Sequence, residues 1–547
     1  MKNAEVVERL LEIADLLDVL GEKFKPEAYR RAARSIESLA EGVEEVVARG
    51  ALTEVPGVGE AIDAKIQELL RTGALPYLDQ LRREVPPGLR ELMRLPGLGP
   101  KTVRRFWTEF GIEGPAELGD AIAAGKLAGA RGFGEKKIAQ VRAALEAAAT
   151  TPAAGRLPIE DAYPLAAAIV SALKAGAPVH DVAVAGSFRR GRESVGDLDI
   201  LATSDQAEKV FDLFSALPQV RRVLLRGPTK ETAVLDQGLQ VDLRVVEPEA
   251  FGAALQYFTG SKDHNVRLRS LARDRGLKLN EYGAFRGEQR IGGRTEEELY
   301  ALLDLPWIAP ELREDRGEID LAKAGRLPKL IESDDLLGDL HVHLPPPGGL
   351  PQLEALLAAA KDRSLAYVGV VVAQAIGKGE VRLAPAPLLE RLASGASREV
   401  RLFAVAEVDG PSLPPELASV AVDYLVARPS GSASRAAKGP APPCLVVAHL
   451  PGPEGREAQA SLDLARSVGA AVEVGPGEGR ADSTLARVAR ESGLLLSVPT
   501  GLTEPLESPT RAVAVGFARR AGAEPKDVRN ARRPAELLTA KRGPSRR

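Results

Sequence analysis

The sequence predicts a multidomain chain of mixed α+β and α/β class: helical modules first, a strand-rich region in the middle and a parallel α/β barrel at the end. Three observations carry this reading. Val55-Pro56-Gly57-Val58-Gly59 recurs as Leu95-Pro96-Gly97-Leu98-Gly99, each opening a stretch of helical periodicity. Between Val182 and Val246, strand-like apolar runs carry acidic residues at alternate positions. From about Asp335 onward, short apolar runs (365–372, 400–405, 444–448, 470–474 and 494–498) alternate with helical stretches, as in strands joined by crossover helices.

A chain of 547 residues allows three or four domains. Its 44% hydrophobic and 27% charged content is that of a soluble globular protein. With a net charge of −3, contact with DNA must come from local patches. The single cysteine, Cys444, leaves no internal disulfide and fits a reducing compartment, so a cytoplasmic location is expected. No apolar run approaches the ~20 residues of a membrane helix, and acidic residues in the amphipathic start read against a signal peptide. No membrane partner is expected. Five histidines restrict any His-rich metal centre.

In chain order, apolar residues at helical spacing predict a helix over residues 5–20, and Phe24-Lys25-Pro26 opens a second one with basic residues beside Tyr29. The two Pro-Gly-x-Gly motifs then open helices at Glu60 and Pro100, with a weaker third copy at Gly132-Phe133-Gly134. This is the helix-hairpin-helix pattern. Gly57 with Gly59, and Gly97 with Gly99, permit a tight turn whose amides face a DNA phosphate at the next helix start. Such contacts read the backbone and not the bases. Residues 150–158 read as a linker.

Val182-Ala183-Val184-Ala185 reads as a buried strand entering a tight turn at Gly186-Ser187. Bare amides there suit a phosphate, and Arg190 adds charge. Asp197 and Asp199, two apart on a strand, share one face and offer hard oxygen donors to Mg²⁺ or Mn²⁺. Asp242, in the alternating run 239–246, supplies a third carboxylate. Three carboxylates on adjacent strands suit two ions ~3.5–4 Å apart and in-line phosphoryl displacement. Asp242 is the group best suited to accept the attacking hydroxyl's proton. Beyond it, Tyr257 and Phe258 end a helix at Gly260, and Asn265 and Arg269 lie one turn apart on a basic helix over 265–275.

On these motifs the whole chain resembles the bacterial and archaeal family X DNA polymerases, similar to DNA polymerase beta, that carry a C-terminal PHP (polymerase and histidinol phosphatase) domain. The resemblance rests most on Gly186-Ser187-x-Arg189-Arg190-Gly191 through Asp197-x-Asp199, and on Tyr257-Phe258-Thr259-Gly260-Ser261 with Asn265 and Arg269. It implies a lyase-like helical domain (1–80), fingers (81–150), a nucleotidyltransferase-fold palm (156–250), a thumb (251–318), a linker (319–334) and a PHP-type distorted (β/α)7 barrel (335–547). It implies that Asp197, Asp199 and Asp242 hold two metals and that Ser187, Arg190 and Gly196 contact the triphosphate. Tyr257 and Phe258 would line the sugar pocket, Asn265 meet the incoming base, and Arg269 the template. Lys25 and Tyr29 match 5′-phosphate-binding residues. Lys65 falls at the family's Schiff-base lysine, although Ala61 stands where animal relatives have another lysine, which weakens a lyase reading.

In the barrel the resemblance retains His341, His343, Glu407 and His449 as metal ligands. It departs from the family at Gly348, Gln374, Arg428-Pro429, Gly501 and Thr503, which replace other expected ligands. The remaining donors would hold at most one ion, such as Zn²⁺. The resulting expectation is a monomeric gap-filling repair polymerase acting on gapped or nicked double-stranded DNA and deoxynucleoside triphosphates, with its nuclease lost. A bifunctional polymerase with an Mn²⁺-dependent 3′–5′ exonuclease is the alternative. Two rivals remain: a nucleotidyltransferase for RNA ends or small molecules, and a DNA-end-binding scaffold with weak catalysis. The basic tail, residues 542–547, reads as solvated.

Overall fold

The computed structural model describes residues 3–538 except 38, 40–42, 73–74, 94–97, 128–133, 135–137, 139–140, 143–144, 146–155, 377–379, 394–398, 411, 418, 430–441, 449–455, 478–479 and 505–507. Gly97, most of the third hairpin copy, residues 150–155 of the linker, His449 and the basic tail therefore lie outside the described residues. The chain forms two compact units, Met1–Gly155 with Ser215–Asp242, and Arg156–Phe214 with Leu243–Arg547.

The first unit begins with helices α1 (Asn3–Leu20), α2 (Lys25–Glu37), α3 (Val43–Ala48), α4 (Glu60–Thr72), α5 (Pro76–Glu84), α6 (Pro87–Met93), α7 (Pro100–Phe110) and α8 (Pro115–Ala123). Val6, Leu10, Ile13 and Leu17 of α1 are buried, as the helical spacing predicts, and α1 packs on α2, α5 and α7. The carbonyls of Gly59 and Gly99 accept the first amides of α4 and α7, at 2.9 Å from Ile62 and Thr102. Gly57 needs to be glycine on two counts. Its φ is +86°, and a Cβ there would sit 2.8 Å from Arg31 Cγ.

The central sheet has the order β2 (Val182–Val184), β4 (Asp197–Thr203), β7 (Gln240–Val246), β6 (Lys230–Leu235), β5 (Val220–Arg226); β2 runs antiparallel to β4, and β5 to β6. Helix α9 (Ile159–Gly176) precedes β2, and a two-stranded ladder joins β1 (Leu157–Pro158) to β3 (Ser194–Val195). The expected Gly-Ser turn is a single helical turn, α10 (Gly186–Arg189). Helix α11 (Ala207–Ser215) follows β4. After the sheet, α12 (Phe251–Thr259) ends at Gly260, as the sequence predicts. Helix α13 (Lys262–Asp274) starts three residues before the expected Asn265, because the Ser261 side chain caps it by accepting the His264 amide. Strands β8 (Lys278–Asn280), β9 (Gly283–Arg286) and β10 (Gln289–Gly292) form an antiparallel sheet before α14 (Glu296–Ala301) and α15 (Glu318–Lys323).

The C-terminal sheet runs parallel in the order β11 (Gly338–Val342), β12 (Tyr367–Ile376), β14 (Arg401–Asp409), β15 (Tyr424–Arg428), β16 (Cys444–Val447), β17 (Ala471–Glu473), β18 (Leu496–Ser497), with β13 (Glu380–Leu383) antiparallel on β12. Helices α16 (Leu350–Asp362), α17 (Ala386–Ala393), α18 (Arg456–Val468), α19 (Ser483–Glu491) and α20 (Thr510–Arg520) alternate with it. The last strand is tied to the first by a side chain. Buried Asn530 accepts from Val498 N at 2.9 Å and donates to the carbonyls of Val498 and Gly338 at 2.7 and 2.8 Å. Among the described residues, no helix is long and apolar enough to cross a membrane.

Candidate active site

Asp197 and Asp199 open β4, and the alternation of the strand puts both on one face, the first exposed and the second half-buried. Gly186 has φ +64°, and a Cβ there would lie 2.6 Å from Asp199 Oδ2. The first residue of α10 thus lies directly against the Asp199 carboxylate, an approach that only glycine permits. Ser187 follows it, half-buried, and Gly196 is exposed immediately before Asp197. Asp242 lies buried on β7, the neighbour of β4 in the sheet. Its Oδ1 accepts from Thr232 Oγ1 at 2.6 Å, and its Oδ2 from Lys230 Nζ at 2.5 Å. An ammonium therefore sits on that carboxylate. The chemistry of this donor set, three hard oxygen groups, fits Mg²⁺ or Mn²⁺.

The two arginines after Ser187 have separate partners. Arg189 makes a bidentate pair with Glu296 at 2.8 and 2.9 Å and donates to Thr259 Oγ1 at 2.9 Å. Glu296 also takes both terminal nitrogens of fully buried Arg313, at 2.6 and 3.1 Å, and Trp307 Nε1 at 2.9 Å. Burial alone would raise the Glu296 carboxyl, but Arg189 and Arg313 hold it down to about 2. Arg190, expected at the triphosphate, instead donates from Nε to Glu314 Oε1 at 3.0 Å and from a terminal nitrogen to the Thr259 carbonyl. Asn265 also differs from expectation. Its amide is closed on α12, accepting from Gln256 Nε2 and donating to the Tyr257 carbonyl, both at 2.7 Å. Tyr257 and Phe258 are half-buried and meet edge to face, with the Arg244 guanidinium 4.3 Å from the Phe258 ring centre. Arg269 Nε donates back to the Asn265 carbonyl at 3.3 Å.

In the helical unit, a residue that sequence reasoning missed gathers the expected ones. Tyr77 stacks on buried Tyr29, with ring centres 6.4 Å apart, and Lys65 Nζ lies 4.7 Å above the Tyr77 ring while donating to the Ala61 carbonyl. Lys25 is exposed and pairs with Glu22 at 3.3 Å. Tyr77 stands alone at the start of α5, and nothing in its local sequence points to these partners.

In the barrel, His341, His343 and Glu407 come together, with one ligand atom from each within 4.8 Å of the others. His343 Nε2 lies 3.3 Å from Glu407 Oε2. The sequence did not single out Glu473, yet it is buried here and accepts from His341 Nδ1 at 3.1 Å. Burial opposes charge on the His341 ring, but Glu473 and Glu407 outweigh it and raise the imidazole to about 10. Asp339 is buried as well, and Thr500 donates to it from N and Oγ1 at 2.7 Å each. Two of the family departures now serve Glu407: Gln374 donates to it at 2.8 Å, and Arg428 lies 3.4 Å from it. Arg480 stands 3.6 Å from Glu473. Distances suit one ion, but the carboxylates are already met by guanidinium and imidazolium groups. Gly348, with φ +72°, Gly501 and exposed Thr503 bring no ligand.

Comparison with known proteins places this geometry. Residues 1–75 match a helix-hairpin-helix domain, 89–147 a SAM-like helix-hairpin-helix tandem, 156–252 the DNA polymerase beta palm and 254–314 the DNA polymerase beta thumb. The chain is 32% identical over 376 residues to the DNA polymerase/3'-5' exonuclease PolX of Bacillus subtilis, a match that covers 68% of this chain and 65% of that protein, just under two thirds of its length. It is 26% identical over 344 residues to DNA polymerase lambda of Rattus norvegicus (57% of this chain, 56% of the relative). To DNA polymerase lambda of Arabidopsis thaliana it is 23% identical over 347 residues (57% and 62%). With hairpin, palm and thumb modules in that order ahead of a parallel barrel, the chain has the module order of the family X DNA polymerases and is similar to them over about two thirds of its length.

Proposed function

We propose that this chain is a template-directed DNA polymerase that fills short gaps in repair, adding a deoxynucleotide to a primer 3′-hydroxyl, and that its barrel has lost nuclease activity. The observation that carries the first part is the approach of Gly186 to the Asp199 carboxylate. It sets phosphate-binding backbone beside the Asp-x-Asp pair, on a strand next to the one bearing Asp242. Asp197, Asp199 and Asp242 would hold Mg²⁺ or Mn²⁺, which would neutralise charge on the triphosphate and acidify the primer hydroxyl. Asp242 accepts the hydroxyl proton once Lys230 releases its carboxylate. Ser187, Arg190 and the backbone at Gly196 hold the triphosphate. Tyr257 and Phe258 bound the sugar, and Asn265 meets the base after letting go of Gln256. Arg269 lies toward the template strand.

The substrate is a gapped duplex, held by phosphate contacts at the Gly57–Gly59 and Gly97–Gly99 hairpins. Lys25 and Tyr29 recognise the 5′-phosphate, with Lys65 beside them at Tyr77. The domain divisions given by the resemblance apply, and the protein acts as a cytoplasmic monomer. Primer extension on gaps with and without a 5′-phosphate tests this reading. Wild-type protein is expected to extend, faster with the phosphate at low salt. Asp242→Asn is expected to lose more than about 10²-fold in rate while binding DNA normally. Near-normal extension by Asp242→Asn would remove that residue from the chemistry. Equal rates on both gaps would remove the phosphate site.

A second reading keeps a barrel nuclease. It is favoured by the His341–His343–Glu407 cluster and by the similarity to the polymerase/3'-5' exonuclease of Bacillus subtilis. We favour loss, because Arg428, Gln374 and Arg480 now stand against the carboxylates. At most one residual ion, Zn²⁺ by its ligand types, would bind there.

A further inference from the structure

The barrel's last long helix, α20, ends in two arginines that reach out of the barrel. Arg519 Nε pairs with Glu311 Oε1 at 2.7 Å. Arg520 is 5% exposed and reaches the segment around the phosphate turn. One of its terminal nitrogens donates to Glu314 Oε1 at 2.7 Å and to the Arg190 carbonyl at 3.2 Å. Its Nε donates to Ser483 Oγ at 3.1 Å, and Ser483 in turn donates to Glu193. Glu314 Oε1 is therefore shared, because Arg190 Nε also donates to it at 3.0 Å. Arg192 lies 3.8 Å from the other oxygen of Glu314.

We propose that Arg520 is a positioning residue for the incoming nucleotide, acting from the barrel through Glu314 to set how firmly Arg190 is held back from the triphosphate. The proposal rests on the polymerase reading above.

Arg190 and Arg520 compete for one largely buried carboxylate, whose side chain is 12% exposed. Arg190 can turn to a triphosphate only by giving up Glu314 Oε1, and a carboxylate left unpaired there would be costly. Arg520 stays behind as its partner, so the release of Arg190 leaves no orphaned charge. Its second bond, to the Arg190 carbonyl, fixes the backbone from which that side chain swings. Without Arg520, Glu314 keeps Arg192 only at 3.8 Å, from its other oxygen, so it holds Arg190 more firmly. Nucleotide binding then weakens while the carboxylate chemistry on β4 and β7 is untouched. A barrel without nuclease activity would in this way still serve the polymerase.

The test is steady-state incorporation on gapped DNA by the full-length protein, read as KM for the deoxynucleotide against kcat. Arg520→Leu is expected to raise KM by about three- to tenfold, in the lower part of the range of coupling between contacting side chains, with kcat changed by less than about twofold. Arg520→Lys keeps a cation and is expected to fall between the two. Adding Glu314→Gln to Arg520→Leu removes the competing carboxylate and is expected to return KM toward wild type. An unchanged KM in soluble Arg520→Leu protein, or a fall in kcat alone, would overturn the proposal and leave Arg520 a structural contact. Should Arg520→Leu not fold, Arg520→Lys and the double variant decide by the same readout. Wild-type protein that fails to incorporate at all would count against the polymerase reading instead.

Discussion

Arg189 and Arg190 are neighbours in sequence and have opposite roles. Arg189 is locked between Glu296 and Thr259, while Arg190 shares its carboxylate with Arg520. Neither fate was legible locally, because the partners lie 107 and 124 positions away. The placement of the three aspartates on strands was legible, since strand alternation is a local signal. Replacing Glu296 with Gln would leave fully buried Arg313 without a counter-charge. Breaking a buried pair in this way is expected to cost about 3–5 kcal/mol in chemical denaturation, and a loss under about 1 kcal/mol would show that the pair is not structural. His264 gives a pH signature. Glu318 can only accept, so Nδ1–H donates to it at 2.6 Å and Nε2 accepts from Tyr300 at 2.9 Å. Burial lowers the ring's pKa despite the Glu318 carboxylate. The unfolded chain then takes up the proton first, so this contribution to stability is complete above the ordinary value of about 6.5 and is lost as pH falls below it. The denaturation midpoint is expected to drop from pH 7.5 to pH 5.5, and less so in His264→Gln. Identical pH profiles would exclude His264 as the cause.

At the scale of elements, helices with a glycine motif before them were read closely: α4 starts at Glu60 and α7 at Pro100, as the sequence predicts. Strand β15 was missed. Its four apolar residues start directly after Asp423, whose side chain accepts the Ala404 amide and so belongs to the ladder's edge rather than to a loop. Barrel closure was equally hidden, because it is made by Asn530 in a short turn and not by a strand. Asn530→Ala would strip partners from Val498 and Gly338 in a dry interior. A loss of about 3 kcal/mol or more in barrel stability is expected from two or three unmet buried groups. A thermal midpoint equal to wild type would show that closure rests elsewhere.

For the whole molecule, repeats and strand patterns announced a helical front, a strand-rich middle and a parallel barrel, and the described residues contain all three. What the sequence could not convey is that the barrel's arginines do two things. Arg428 and Arg480 face the carboxylates of its own pocket, and Arg520 faces the turn that would hold a triphosphate. A ligand count identifies missing donors but cannot show which cations stand near those that remain. One working centre is therefore expected in a chain with two candidate ones. A 5′-labelled primer in a gapped duplex, incubated with Mn²⁺ with and without deoxynucleotides, reads both centres in a single experiment. The expected result is lengthening with nucleotides and an intact primer without them. Failure to lengthen, or shortening that His341→Ala abolishes, would contradict it.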